Sequence, residues 1–390
     1  MKSQAGSIAS PNRNYGCIDV LRGVSACMVI VFHAMHVSGR ANFPASGIWH
    51  FFDSGWVGVN IFLLISGLVI TLSVFRNMER YGATFRGPFV VARLARIVPL
   101  YLLTGAVSMA VFVPPWLHGP VSELLLQIGS HLAFVHNLQV RTHGSIDGPN
   151  WSIGLEMQFY LLMVLIAPWL ARRAGALHLA GALILAALFR YATTRMVVPG
   201  EIHMQFVYAT QLPGLFDHFA LGMALAFALS ASHRSAFGRL QASWRRFLVW
   251  VAVSMTVLAC AAFLLAVFGY WENVWMVTFL PSVLATGFMA LLAAAITFPW
   301  ADRRAIVPLR YLGEISYGLY LWHMPVVVFT LHTAPDLRGP PFLAAVFGLT
   351  FLLAALSWHL LEKPVSGFFR ARVARSDHPG NVRLAASQSP

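Results

Sequence analysis

The chain has 390 residues, 58% of them hydrophobic and only 11% charged, with a formal net charge of +13 and a mean hydropathy of +0.68. Soluble domains carry about 25% charged residues, so 27 Lys/Arg and 14 Asp/Glu cannot cover a water-soluble surface of this size. The balance excludes a soluble enzyme, a disordered chain and a nucleic-acid-binding module; it leaves an all-α polytopic membrane protein whose basic excess reports topology.

A spanning helix needs about 20 mostly apolar residues. Ten stretches qualify in chain order: 19–38, 55–75, 97–113, 151–171, 177–196, 211–230, 247–269, 275–298, 311–331 and 342–361. The stretch Glu123–Asn137 is apolar but short, and Gln127, His131 and His136 interrupt it. It reads as a short re-entrant or interfacial helix. With ten spans and a cytoplasmic N-terminus, only Arg40, Arg141, Arg190, Arg195 and Arg338 fall outside, leaving 22 of the 27 cations inside. Counting Glu123–Asn137 as a span would invert everything after it, against the positive-inside rule. Both termini are therefore expected in the cytoplasm. Residues 1–18 read as a cytoplasmic N-terminal segment and not as a cleavable signal, because the first apolar run contains Arg22. Residues 19–369 read as one membrane domain, and 370–390 as a disordered, basic cytoplasmic tail.

Ionisable residues inside a span are costly, so each is a functional candidate. In the first span Arg22 and His33 lie eleven positions apart, almost three helical turns, which puts both on one face about 16 Å apart along the axis. The planar fork of an Arg at the inner mouth suits phosphate, and a His at depth can serve as a base near neutral pH. The plainer alternative is a snorkelling Arg and a hydrogen-bonded core His. In the second span Asn60 and Ser66 precede Gly67 and read as a close-packing stripe. Arg93 and Arg96, at i and i+3 before the third span, are either a second anion clamp or positive-inside anchors.

The fourth span opens with Trp151, placed for an interfacial aromatic belt. Ser152, Glu156 and Tyr160 follow four apart on one face, and Glu156 needs a partner or a wet cavity. Asp217 and His218 in the sixth span and Glu314 near the start of the ninth are further buried-charge candidates. Ser316, Tyr320 and His323 share a face of the ninth span, as pocket lining or as helix glue. Glu362 and Lys363, beside His359, read as an ion pair at the inner end of the tenth. His118, His131, His136 and His143 belong to the outer segment, as loop residues or acceptor contacts. Cys17, Cys27 and Cys260 make no disulfide framework and no metal motif. HExxH, Walker A, GxGxxG and GxSxG signatures are absent.

Taken together these motifs resemble the acyltransferase-3 family of integral membrane O-acyltransferases. LRGVSACMVIVFH carries its Arg–ten residues–His motif at Arg22 and His33, GVNIFLLISG (Gly58–Gly67) its second-span motif, and RLARIVPLY (Arg93–Tyr101) its Arg-x-x-Arg motif. WSIGLEMQFY (Trp151–Tyr160), LGEISYGLYLWH (Leu312–His323) and EKP (Glu362–Pro364) follow in the family's order. One departure is Phe62-Leu63, where the family commonly has two aromatic residues; another is the lack of the C-terminal hydrolase-like domain that some members carry. The resemblance implies an acyltransferase-3 membrane domain over 19–369 in a bacterial inner membrane. It implies transfer of an acyl group, acetyl above all, from cytoplasmic acyl-CoA to a hydroxyl of a cell-surface polysaccharide or lipid-linked glycan. No permanently bound cofactor and no metal are expected; acyl-CoA, the carbohydrate acceptor and the lipid bilayer are the partners, and nucleic acid is not. By the same resemblance His33 is catalytic, with Glu156 orienting or charge-balancing it. Arg22, Arg93 and Arg96 would support the donor, and Ser152, Tyr160, Ser316, Tyr320 and His323 would line the pocket. A proton-coupled transporter of anionic solutes would use the same Arg, His and Glu, but no clear inverted repeat supports it. A non-catalytic membrane assembly partner, its polar faces only gluing helices, is a third reading.

Overall fold

The computed structural model describes residues 16–44, 46–230, 243–298 and 307–376, and every regular element among them is helical. In chain order these are α1 (Gly16–Val37), the short α2 (Ile48–Phe52), α3 (Gly58–Tyr81), α4 (Arg86–Phe112), α5 (Val121–Leu132), α6 (Trp151–Arg173), α7 (Ala176–Met196) and α8 (Ile202–Ala209). They continue with α9 (Leu212–Leu229), α10 (Trp244–Phe268), α11 (Val274–Thr297), α12 (Val307–Glu314), α13 (Ser316–Thr333), α14 (Gly339–Ser357) and α15 (Lys363–Ser376).

Nine of the ten expected spans are long and apolar enough to cross a membrane. The exception is the ninth, expected over 311–331, which is broken at Ile315 into α12 and α13. α13 has 18 residues, and Tyr317, Tyr320, His323 and His332 dilute its apolar content. It is also among the most enclosed helices, with twelve buried residues. α5 is 12 residues long, about 18 Å at 1.5 Å per residue, which is too short to span; the expectation of a short non-spanning helix holds. Residues 370–376, expected in a disordered tail, are helical as the end of α15. The rest of that tail and residues 1–15 lie outside the described residues.

α1 runs through the middle of the bundle, against α3, α12 and α13. One core cluster joins α1, α4, α6, α13 and α14; a second joins α3, α9 and α11. α3 and α9 approach closely at two glycines. A Cβ on Gly67 would collide with the Phe219 carbonyl oxygen, and one on Gly222 with that of Leu64, so small residues bring these backbones together as they do between membrane helices generally.

Proline inside a helix removes one hydrogen bond and frees the carbonyl four residues back. Two such carbonyls are taken by side chains from elsewhere in the fold. Pro99 of α4 frees Ala95, whose oxygen lies 3.5 Å from the Ser366 hydroxyl. Pro168 of α6 frees Val164, whose oxygen accepts from Arg86 Nε at 3.2 Å. The start of α4 is thereby tied to α6, and its middle to α15. That matters because α4 carries Arg93 and Arg96, which sit two turns inside the helix and not ahead of it.

Candidate active site

α1, α3, α4, α6 and α13 enclose a cavity with about 730 Å³ of empty space, including its open mouth. Eight of the ten residues singled out from sequence line it: Arg22, Arg93, Arg96, Ser152, Glu156, Tyr160, Ser316 and Tyr320. Three guanidinium groups from two helices thus face one space. Arg93 also lies over the Tyr160 ring, 5.6 Å from its centroid, an arrangement that attracts a cation to the ring face.

Glu156 is the carboxylate among these cations. Its Oε1 accepts from Ser66 Oγ and from the Tyr160 hydroxyl, both at 2.7 Å. Ser66 therefore does more than pack α3: it holds Glu156. Glu156 makes no hydrogen bond to His33; its electrostatic partners are Arg22 and Arg93.

At the other end of the cavity the Tyr320 hydroxyl donates to the Pro149 carbonyl at 2.8 Å and meets Ser152 Oγ at 2.7 Å. Phe62, the aromatic kept of the pair common in the second-span motif, packs edge-on against the Tyr320 ring. His33 is not on this wall. It lies one side chain further on, half-buried, with His323 between it and Tyr320.

The hydrogen bonds around these two histidines assign their tautomers. His323 Nδ1 faces the Tyr320 carbonyl, which can only accept, so Nδ1 carries the proton and Nε2 is bare. His33 Nδ1 lies 3.0 Å from the Val29 carbonyl and 3.1 Å from His323 Nε2, both acceptors, so it too carries its proton. The Nε2 of neutral His33 is left as the free base.

A second buried polar centre lies away from this cavity. Arg190 of α7, 1% exposed, pairs with Asp217 of α9 at 2.9 Å. The side chain points into the bundle, where the Thr278 and Gly214 carbonyls and the Ser282 hydroxyl also accept from it. Glu314 is exposed and so is not a buried charge. Glu362 is 1% exposed, and its near partner is the Ser357 hydroxyl, not Lys363. Trp151, expected in an interfacial belt, packs on His143 and Phe206.

The segment between α5 and α6 is folded over these helices. Rings of His131 and His136 stack with centroids 4.1 Å apart, and His136 Nε2 donates to the Asn150 carbonyl at 3.0 Å. Burial pushes the Asp147 carboxyl up to about 8 and His143 down to about 4, since a charge is costly where water is excluded. A carboxyl held neutral in the fold contributes stability below its unfolded pKa near 3.8, and that contribution is lost as pH rises through about 8. His143 acts oppositely, its contribution being lost as pH falls from 6.5 towards 4. The Asp147→Asn variant isolates the first effect. The wild-type melting temperature should fall relative to that of Asp147→Asn between pH 5 and about pH 8, as read by fluorescence melting in detergent. A constant difference across that range would exclude a buried, titrating Asp147.

A family model described as an acyltransferase domain, the acyltransferase-3 model, matches residues 15–359. The chain is 25% identical over 371 residues to the peptidoglycan O-acetyltransferase OatA of Listeria monocytogenes, covering 89% of this chain and 55% of that protein. It is 23% identical over 382 residues to the O-acetyltransferase OatA of Staphylococcus aureus, covering 89% and 56%. BcsY of Komagataeibacter xylinus, named for a membrane-bound transacylase, is 27% identical over 385 residues, covering 95% of this chain and 88% of that protein. The chain thus spans little more than half the length of the two O-acetyltransferases. No solved structure matches.

Proposed function

The chain belongs to the acyltransferase-3 family, and on that premise we propose that it is a membrane O-acyltransferase moving an acetyl group from cytoplasmic acyl-CoA to a carbohydrate hydroxyl. The observation that carries this reading is the cavity with three arginines at one end and a histidine pair just beyond the other. CoA is rich in phosphate and ends in a flexible arm bearing the thioester, and this polarity matches the cavity. Arg22, Arg93 and Arg96 bind the phosphates through charge-assisted hydrogen bonds. Glu156, fixed by Ser66 and Tyr160, keeps the three cations from repelling one another when the donor is absent; this replaces the expected role beside His33.

His33 Nε2 takes the proton of the acceptor hydroxyl. The oxygen attacks the thioester carbonyl carbon, the new C–O ester bond forms and the C–S bond breaks. The departing CoA thiolate recovers the proton from the His33 imidazolium, so the histidine ends neutral. The names of the O-acetyltransferase relatives support a surface glycan as the acceptor. The distribution of cations supports an inner-membrane protein with its arginine mouth and both termini in the cytoplasm.

Purified protein in lipid vesicles, given radiolabelled acetyl-CoA and a glycan acceptor, should yield labelled glycan and free CoA. Solute uptake without CoA consumption would overturn the reading in favour of a transporter. Arg93→Ala and Arg96→Ala should each raise the KM for acetyl-CoA by about 10- to 100-fold, the loss of one charge-assisted hydrogen bond, with a smaller effect on kcat. Equal KM values in wild type and both variants would reduce these arginines to topological anchors.

A further inference from the structure

α6 and α7 are joined by only two residues, Ala174 and Gly175, yet they splay apart instead of packing together. α6 lies mainly against α3, and α7 against α9 and α11. The wedge between them is a crevice with about 720 Å³ of empty space, including its open side. It shares no lining residue with the arginine cavity.

The crevice is apolar along its length. α9 contributes Ala220 and Phe227, α6 Ile166 and Leu170, and α7 Ala182 and Leu185. No Lys, Arg, Asp or Glu lines it, and its one imidazole, His178, is exposed and packs on Trp169 with ring centroids 5.0 Å apart. The protein leaves this space unfilled: a Cβ on Gly181 would meet nothing within 4 Å, whereas protein interiors are otherwise close-packed. Trp169 and Leu185 are 48% and 51% exposed, so the slot opens sideways, towards the hydrocarbon. From Phe216 to Phe227 it follows α9 for about 16 Å. That is the depth of one leaflet of a hydrocarbon core about 30 Å thick.

The end of the slot at the α6–α7 turn carries charge. Ile166, Trp169 and Leu170 lie on one stripe of α6, and Arg173, at i+7 from Ile166, continues it. Arg172 stands beside it, and both are exposed in the last turn of the helix. Among the described residues no carboxylate pairs with either, and α7 has no acidic residue. Trp169, one turn before Arg173, is the amphipathic ring expected at a headgroup boundary. Positive-inside anchoring accounts for the side on which these arginines lie, but it does not call for an empty slot beneath them. Two guanidinium groups above an apolar slot one leaflet deep match a phosphate ester above a hydrocarbon chain.

We propose that the α6–α7 crevice seats one anionic phospholipid, an acyl chain in the slot and the phosphate on Arg172 and Arg173. A zwitterionic lipid brings the same chain, but its own cation offsets the phosphate, so the site prefers a net negative headgroup. The lipid completes the packing of α6, whose first half carries Ser152, Glu156 and Tyr160. The cytoplasmic leaflet follows from the topology proposed above; the binding itself does not depend on acyl transfer.

The test is native mass spectrometry of the full chain in detergent, titrated with palmitoyl-oleoyl phosphatidylglycerol or with phosphatidylcholine of the same chains. Wild type should retain one phosphatidylglycerol at least about tenfold more tightly than phosphatidylcholine. The double variant Arg172→Gln, Arg173→Gln should bind phosphatidylglycerol about 30-fold more weakly and phosphatidylcholine as before. A control double variant, Arg370→Gln, Arg372→Gln, alters two exposed arginines of α15 and should bind both lipids as wild type does. Gly181→Leu places its side chain in the slot and should weaken both lipids at least about tenfold. Its melting temperature in lipid-free detergent should not fall, because Leu is the better helix residue. Equal affinity of wild type for the two lipids, or an equal loss in both arginine double variants, would reduce the effect to general surface charge and overturn the proposal. Undiminished lipid retention by folded Gly181→Leu would place the chain elsewhere and overturn it too.

Discussion

The His33→Ala variant is expected to lose acyl transfer by about 10²–10⁴-fold, the usual contribution of a positioned general base, while binding acetyl-CoA as wild type does. The arginines and Glu156 that form the cation end make no hydrogen bond to His33, so donor affinity has no reason to change. The tautomer argument extends the expectation to a neighbour. His323 Nε2 accepts from His33 Nδ1 at 3.1 Å, which steadies both the ring and its protonation state. In the proposed mechanism His323 is thus a positioning residue. Its replacement by Ala should lower kcat less than His33→Ala does and move the acidic limb of the pH–rate profile, because the His33 imidazole then titrates beside a different neighbour. Replacement by Gln, which can still offer an acceptor oxygen, should restore part of the rate. Unchanged turnover in His33→Ala would remove the mechanism; a rate loss in His323→Ala with an unshifted profile would reduce His323 to packing.

For stability, the largest expected loss belongs to Arg190→Met. Arg190 Nη1 reaches Asp217 at 2.9 Å, and Arg190 also donates to Thr278, Gly214 and Ser282. Asp217 in turn accepts from Ser282 at 2.6 Å and from the His218 backbone at 2.9 Å, with His218 Nδ1 at 2.7 Å. The network ties α7, α9 and α11 in a place where neither charge sees water. Removing one partner of a buried pair leaves an uncompensated charge, which costs about 3–5 kcal/mol. Arg190→Met should therefore lower the melting temperature sharply, whereas the double variant Arg190→Met, Asp217→Asn should recover part of the loss. A double variant no more stable than Arg190→Met alone would mean that lost packing, not the stranded charge, is responsible. Neither residue lines the arginine cavity, so folded Arg190→Met protein should keep its KM for acetyl-CoA.

Helical periodicity carried the site a long way. Ser152, Glu156 and Tyr160, four apart, all line the cavity, as do Arg93 and Arg96 at i and i+3. Spacing assigns a face, however, and not what lies opposite. His33 shares a face with Arg22, yet the cavity ends at Tyr320 before reaching it, because the side chains of Phe62 and Tyr320 come from other helices. The same limit hid Ser66: an alcohol beside a glycine looks like packing until α6 brings Glu156 to it. Asp217 stood out as a buried charge, but its partner did not. An arginine near the end of an apolar stretch ordinarily snorkels outward, and only the approach of α9 and α11 turns Arg190 inward. The break at Ile315 left no such mark either: no proline stands there, and α12 and α13 part where both pack on α1.

The polarity of α13 bears on how the protein is made. Every other expected span is long and apolar enough to cross a membrane; this one is the least apolar of the ten, and it carries Tyr320 and His323. During synthesis it must be received by α1 and α4, which emerge earlier and later pack against it, or be pulled in with the far more apolar α14 five residues behind. The nascent chain accordingly holds its three arginines and Glu156 well before the helix that links them to His33 arrives. Under the proposed function the donor end is therefore built first and the histidine pair last, which would keep an incompletely inserted chain from spending acyl-CoA.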